Sequence, residues 1–139
     1  MINELSVEHY VYVNNPNARP NDVGKIAIIL AIDSERQFKE YKGTVRVQHL
    51  GELESYGQFL DFIKPIPITK EIICRLELNG ERFVEKYPDV WEQGNLRFYE
   101  KEGVLSWEVW DGVDLDNITY LHQLQNFCLT VLKKKITIL

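Results

Sequence analysis

The residues through which this chain could do chemistry are three histidines, two cysteines and several short acidic clusters. His9 and His49 each stand in a run of alternating valines, VEHYVYV and GTVRVQHL, on the valine side. Paired strands would bring the two rings near each other, for acid–base work with a carboxylate such as Asp61 or for part of a metal site. A metal needs further ligands and a second layer of hydrogen bonds, and neither an HExxH motif nor a His/Cys spacing supplies them. The plainer reading is a pair of histidines at the edge of a core. His122 and Cys128 lie six positions apart and fall on different sides of one helix, the wrong geometry for a thiol and its base. The segment DGVDLDN, Asp111–Asn117, holds three aspartates. Counted from Asp114, Thr119 falls where a calcium loop needs glycine and Gln125 where it needs glutamate. Gly24–Lys25 lacks the rest of a phosphate loop, and GxGxxG and GxSxG do not occur. The expectation is no catalytic residue, no cofactor and no metal.

Binding surfaces are a better match to the residue types. Trp91, Phe98, Tyr99, Trp107 and Trp110 crowd one segment. Leu105, Trp107 and Val109 share one face of a strand, which places Trp107 in a core, while Trp110 falls on the other face with Ser106 and Glu108. An exposed Trp110 beside Arg97 or Tyr99 would anchor a protein contact or stack a base. A second surface would combine Arg46, Lys25 and Lys42 with Tyr10 or Tyr12 on the N-terminal strands, a pattern suited to nucleic acid. The net charge of −5 disfavours that partner, because nucleic-acid binding starts from a basic surface that releases counterions. The run Lys133–Lys135 complements a helix C-terminus. Protein is therefore the expected partner, with nucleic acid as the alternative and the oligomeric state left open.

The elements that must position these residues follow from periodicity. A chain of 139 residues with 45% hydrophobic and 27% charged residues suits one compact domain or two small subdomains. Val7–Val13 alternates as a half-buried strand. The Pro- and Asn-rich stretch Asn14–Asp22 reads as a loop. Lys25–Ile32 is apolar on both faces, as in a central strand. GTVRVQHL and GQFLDFI add two more strands before Pro65 and Pro67, which cannot donate ladder hydrogen bonds and end the unit. Thr69 is an N-cap for a helix over Lys70–Leu78 that stops at Asn79–Gly80. Strands at Arg82–Tyr87, Leu96–Glu100 and Val104–Trp110 follow, the last two joined by KEG. A helix over Tyr120–Leu132 packs on them, and KITI forms a final edge strand. The fold expected is α+β and mainly antiparallel. Residues 1–64 form a curled sheet or small open barrel, and residues 65–139 a helix, a three-stranded sheet and a packing helix sharing the same core.

On the C-terminal helix, Leu121, Leu124, Gln125, Cys128, Val131 and Leu132 point inward with Phe127 beside them, His122 lies at the border of the stripe, and Gln123, Asn126 and Thr130 point away. The motif YLHQLQN is read as structural, joining the two halves. The apolar run IAIILAI is far shorter than the roughly 20 residues of a membrane span. The N-terminus lacks the basic and apolar pattern of a secretory signal. Cys74 and Cys128 have no CxxC spacing and read as reduced core thiols. The expected compartment is the cytoplasm.

Three motifs, IILAID at Ile28–Asp33, PIPITKEI at Pro65–Ile72 and YLHQLQN at Tyr120–Asn126, occur in order along most of the chain. In these it resembles a group of small uncharacterised proteins of phages, prophages and mobile elements of Bacteroides-type bacteria. That group usually closes on TG-x-E-L, whereas this chain ends TVLKKKITIL. The resemblance implies a phage-related cytoplasmic protein with no known activity.

Overall fold

The computed structural model describes residues 5–14, 25–109, 113–114 and 118–139. The fold is α+β, with strands dominant and every paired strand antiparallel. The chain divides into two compact units, Met1–Ile66 and Pro67–Leu139. The boundary falls past residue 64 because Ile63–Pro65 is still a strand, with Pro65 opposite Val11. An edge position lets proline into the ladder, where its missing N–H is not needed.

The first unit is one open sheet of β1 (Tyr10–Val13), β2 (Ile26–Phe38), β3 (Tyr41–His49), β4 (Tyr56–Phe59) and β5 (Ile63–Pro65). Their spatial order is β4-β3-β2-β1-β5, so the apolar β2 is central as its sequence requires. The core face carries Val11, Val13, Ala27, Ile29, Val45, Val47 and Ile63. The alternation that starts β1 at Val7 overreaches. Glu8 has φ 75 and Val7 is exposed, so the strand opens only at Tyr10. Tyr10, expected on the outer side, is buried as well.

Two irregularities shape β2. Ile29 faces Val47 and Ala31 faces Arg46, so Leu30 is an extra residue, a β-bulge. Further on, three residues of β2 stand against Gly43 alone, between the pairs Asp33–Thr44 and Gln37–Lys42. Gly43 has φ 95, and a Cβ there would strike the Leu60 side chain. The expected strand ended at Ile32. The actual one runs six residues more, to Phe38, and turns at Lys39–Glu40.

The second unit holds two sheets. Trp91, Phe98 and Trp107 line one face of β8 (Val84–Tyr87), β9 (Val90–Gln93), β10 (Leu96–Lys101), β11 (Val104–Val109) and β12 (Val113–Asp114), ordered β12-β11-β10-β9-β8. The KEG turn places both Glu102 and Gly103 at positive φ, 55 and 79, as a two-residue hairpin requires. The smaller sheet is β13-β6-β7, from Ile136–Ile138, Leu76–Leu78 and Glu81–Arg82. Its existence corrects the long helix expected at Lys70–Leu78. The helix α1 covers only Lys70–Ile73, with Thr69 Oγ1 accepting from Ile72 N–H at 3.3 Å as its N-cap. Leu76 and Leu78 are buried and Glu77 between them is not, a period of two that β13 captures from the chain's end. Asn79–Gly80 is accordingly the turn of a hairpin, both residues at positive φ. KITI does form an edge strand.

The helix α2 (Leu121–Phe127) continues as a π-turn, Cys128–Leu132, closed by Lys133 in the left-handed conformation. Gln123 Oε1 accepts from the Thr119 and Tyr120 amides at 3.0 and 3.1 Å, the reach-back half of a capping box. The junction meets this helix start directly, through a Pro67–Tyr120 bridge and an Ile68 N–H to Thr119 C=O bond of 3.1 Å. The inward ridge of Leu121, Leu124 and Cys128 is fully buried, but Val131, expected on the same side, is exposed, because the wider π-turn breaks the 100° phase of the helix. His122 is fully buried too, instead of lying at the border, while Gln125 is only half-buried. Tyr120, stacked 6.0 Å from the imidazole, helps cover it.

Leu124→Ala should cost about 2–5 kcal/mol, and His122→Ala should melt below Gln125→Ala in thermal unfolding of the three variants. Gly43→Ala should lose about 1–3 kcal/mol in urea titration, from a left-handed backbone and the collision with Leu60; a wild-type midpoint would refute the bulge geometry.

Candidate functional site

The histidines take structural posts. Nδ1 of His9 accepts the Ser6 amide at 2.9 Å and closes the turn before β1. His49 shares a 2.7 Å hydrogen bond between Nε2 and the Tyr56 hydroxyl, while its buried Nδ1 has no hydrogen-bond partner among the described residues. His9 lies beside Ile29 and His49 beside Ala27, on opposite flanks of β2. Two strand spacings, roughly 10 Å, therefore separate them. Asp61 is exposed in the 3-10 turn after β4. None of the three lines the cleft on the N-terminal sheet, and among the described residues no cluster of three His, Cys, Asp or Glu has the form of a metal site.

The cysteines differ from each other. Cys74 is exposed, contrary to its apolar sequence neighbours, because α1 ends there and turns it outward. Burial pushes the Cys128 thiol up to about 12, with Lys134 opposing, so it stays protonated and inert. Both are free. No helix among the described residues is long and apolar enough to cross a membrane.

Of the C-terminal surface candidates, Trp110 lies outside the described residues, as do the loop at 15–22 and most of DGVDLDN. Arg97 and Tyr99 share the outer face of β10, both half-buried. Arg97 is already engaged, hydrogen-bonding Glu92 through Nε at 2.6 Å and Glu108 through Nη1 at 3.0 Å. These partners sit directly opposite it on β9 and β11, and Lys86 adds a 3.3 Å contact to Glu92. The Glu92 hydrogen bond leads in raising the Arg97 pKa above its ordinary value. Burial pushes the Glu92 carboxyl upward, but Arg97 and Lys86 outweigh it and hold it below the usual carboxylate range. Lys70 is similarly engaged, by Asp89 at 2.9 Å and Glu100 at 3.1 Å, which raise its pKa in that order.

The N-terminal sheet presents a different face. Three cross-strand rows run through β2, β3 and β4: Ala31–Arg46–Gly57, Ile32–Val45–Gln58 and Asp33–Thr44–Phe59. Alternation sends the middle row to the core and the flanking rows outward. A cleft of about 390 Å³ opens there, lined by these rows and by Arg36. Ala31 and Gly57 leave room on both sides of Arg46, and a Cβ at Gly57 would meet nothing within 4 Å. Phe59 forms one wall, stacked on Tyr41 at 4.4 Å and flanked by Phe38 at 6.0 Å and Phe62 at 6.3 Å. Asp33 is turned to its own backbone, Oδ1 accepting from the Glu35 and Arg36 amides at 3.2 Å. Neither Arg36 nor Arg46 is in an ion pair among the described residues.

Of the basic stripe expected on this sheet, only Arg46 lines the cleft. Lys25 and Lys42 pair with Glu52 and Glu35, each at 3.7 Å, Tyr10 is buried and Tyr12 half-buried. Arg36 and the Phe38–Tyr41–Phe59 stack were not anticipated. Periodicity gives no signal for them, since DSERQF is polar at every position before Phe38 and exposed throughout. No protein-family model, curated protein or solved structure matches this chain.

The cross-strand charges of the second unit yield a pH prediction. Glu92 has a lower pKa folded than unfolded, so its contribution is complete above the ordinary carboxylate value and is lost as pH falls through the folded one. Glu92→Gln should melt below wild type at pH 7, and the gap should close as pH drops below about 4. A gap that is constant with pH would show that Glu92 acts through packing alone.

Proposed function

We propose that the chain is a non-enzymatic interaction module of a phage or mobile element, acting in the cytoplasm, that binds a host or phage protein through the outer face of its N-terminal sheet. One observation carries this reading: Arg46 stands between two nearly empty positions, Ala31 and Gly57, beside a second unpaired guanidinium and an aromatic wall. On the outer face of β10, by contrast, Arg97 is held between Glu92 and Glu108. A guanidinium left unpaired in a cleft, with apolar surface at its side, is the composition of a contact anchor. Arginine earns that role through its planar, weakly hydrated fork. The resemblance to phage and mobile-element proteins supplies the setting.

A single-stranded nucleic acid is the second reading, favoured by the Phe59 stack beside two arginines. It is the weaker one, because Lys25 and Lys42, which would extend the positive track, are already held by carboxylates.

Affinity capture from a bacterial lysate with the full chain as bait tests the protein reading. Proteins enriched by wild type should fall to background with Arg46→Glu and persist with Lys101→Glu, an exposed charge on the other unit. Arg46→Glu should fold normally, within about 0.5 kcal/mol of wild type, as surface substitutions do. Failure to enrich any protein above control, or equal enrichment by both variants, would overturn the proposal.

A further inference from the structure

We infer that the cleft around Arg46 takes an acidic segment of a partner protein, one carboxylate seated between the Arg36 and Arg46 guanidiniums and an apolar side chain laid against Phe59. This rests on the binding-module reading above and names the chemistry of what is bound.

The charge of the cleft selects the ligand. Its charged lining is Arg36, Arg46 and Asp33, so two guanidiniums against one carboxylate leave a single net positive charge. That balance suits one carboxylate. A polyphosphate chain needs a longer cationic track, since each neutralised phosphate contributes to counterion release. Asp33 would also repel a second anion placed beside it. Guanidinium forks grip a carboxylate through paired N–H donors, which fixes direction as well as charge. Thr44, in the row between Asp33 and Phe59, adds a hydroxyl that can donate to the same anion.

The space selects an extended segment. About 390 Å³ lies at the small end of ligand sites, which run from roughly 300 to 1,000 Å³. The open positions beside Arg46 come from residues with little or no side chain, Ala31 and Gly57, and Gly57 is not at a positive φ. Only an added side chain would close that space. The wall beyond is apolar and reinforced from behind, Phe59 against Tyr41 and both near Phe62. An acidic residue next to an aromatic or aliphatic one matches the two halves of the cleft.

Fluorescence anisotropy with the full chain tests this with three probes: a dye-labelled peptide alternating Glu with Phe and Leu, the same peptide with Gln for Glu, and a labelled oligothymidine. The Glu peptide should bind, weakening as salt is raised, and the Gln peptide should bind about tenfold more weakly or worse. Arg46→Gln should cost a similar factor, and Gly57→Leu, which fills the cleft without changing charge, should abolish binding; either variant suffices should the other fail to fold. Equal affinity for the two peptides, no effect of either folded variant, tighter binding of the oligothymidine, or no binding of any probe would overturn the inference. Arg46-dependent capture from lysate with a silent peptide arm would overturn the acidic ligand and leave the binding face standing, whereas peptide binding without Arg46-dependent capture would do the reverse.

Discussion

The pairing of β2 with β3 is the constraint on which the first unit depends. Val45 and Val47 must enter the core, so Arg46 between them can only face outward. The bulge at Leu30 completes the arrangement. Without it, strict alternation after the buried Ile29 would send Ala31 to the core and Ile32 to solvent. One inserted residue reverses both, bringing Ile32 against the core and leaving the small Ala31 beside Arg46. The same local irregularity thus preserves the hydrophobic register and opens the floor of the cleft. A one-residue slip would forfeit both, which is why register is firmly specified where one face is buried.

The second unit uses the same period of two with the opposite electrostatic result. Trp91, Phe98 and Trp107 stand in one cross-strand row, and all three are buried. The next row is Glu92–Arg97–Glu108, and here each charge has a partner at the opposite position. Such pairs restrain side chains and stabilise modestly. They also remove Arg97 from the set of groups able to recruit an outside carboxylate. The two faces thus differ, one neutralised in place and one left open, and the proposed binding face is the open one.

Periodicity in the sequence made much of this legible. VYV and TVRVQH alternate cleanly and their inward residues are the buried ones, whereas in LSWEV only Trp107 is buried. Thr69 declares its cap, and KEG its hairpin. What the sequence concealed was decided by distant partners. Leu76–Leu78 reads as the end of a helix until Ile136–Ile138 arrives beside it, nearly sixty residues later, and makes it a strand. His122 sits at the margin of an ideal helical stripe, yet it is fully enclosed. The cleft was half legible: Arg46 was visible as an outward residue, whereas Arg36, Phe38 and Tyr41 belong to a polar extension of β2 and β3 that carries no apolar signature. The bulges that bring these residues together depend on pairing register, which one strand read alone does not reveal.

The most direct test of the binding face is an amide NMR titration of the full, isotope-labelled chain with the acidic peptide. The account predicts that perturbed amides cluster at Ala31, Asp33, Arg36, Arg46, Gly57 and Phe59, with the core positions Val11 and Ala27 on the same sheet little changed. Shifts concentrated instead at Arg97, Tyr99 and their neighbours on β9 and β11, with the Arg46 rows silent, would contradict it.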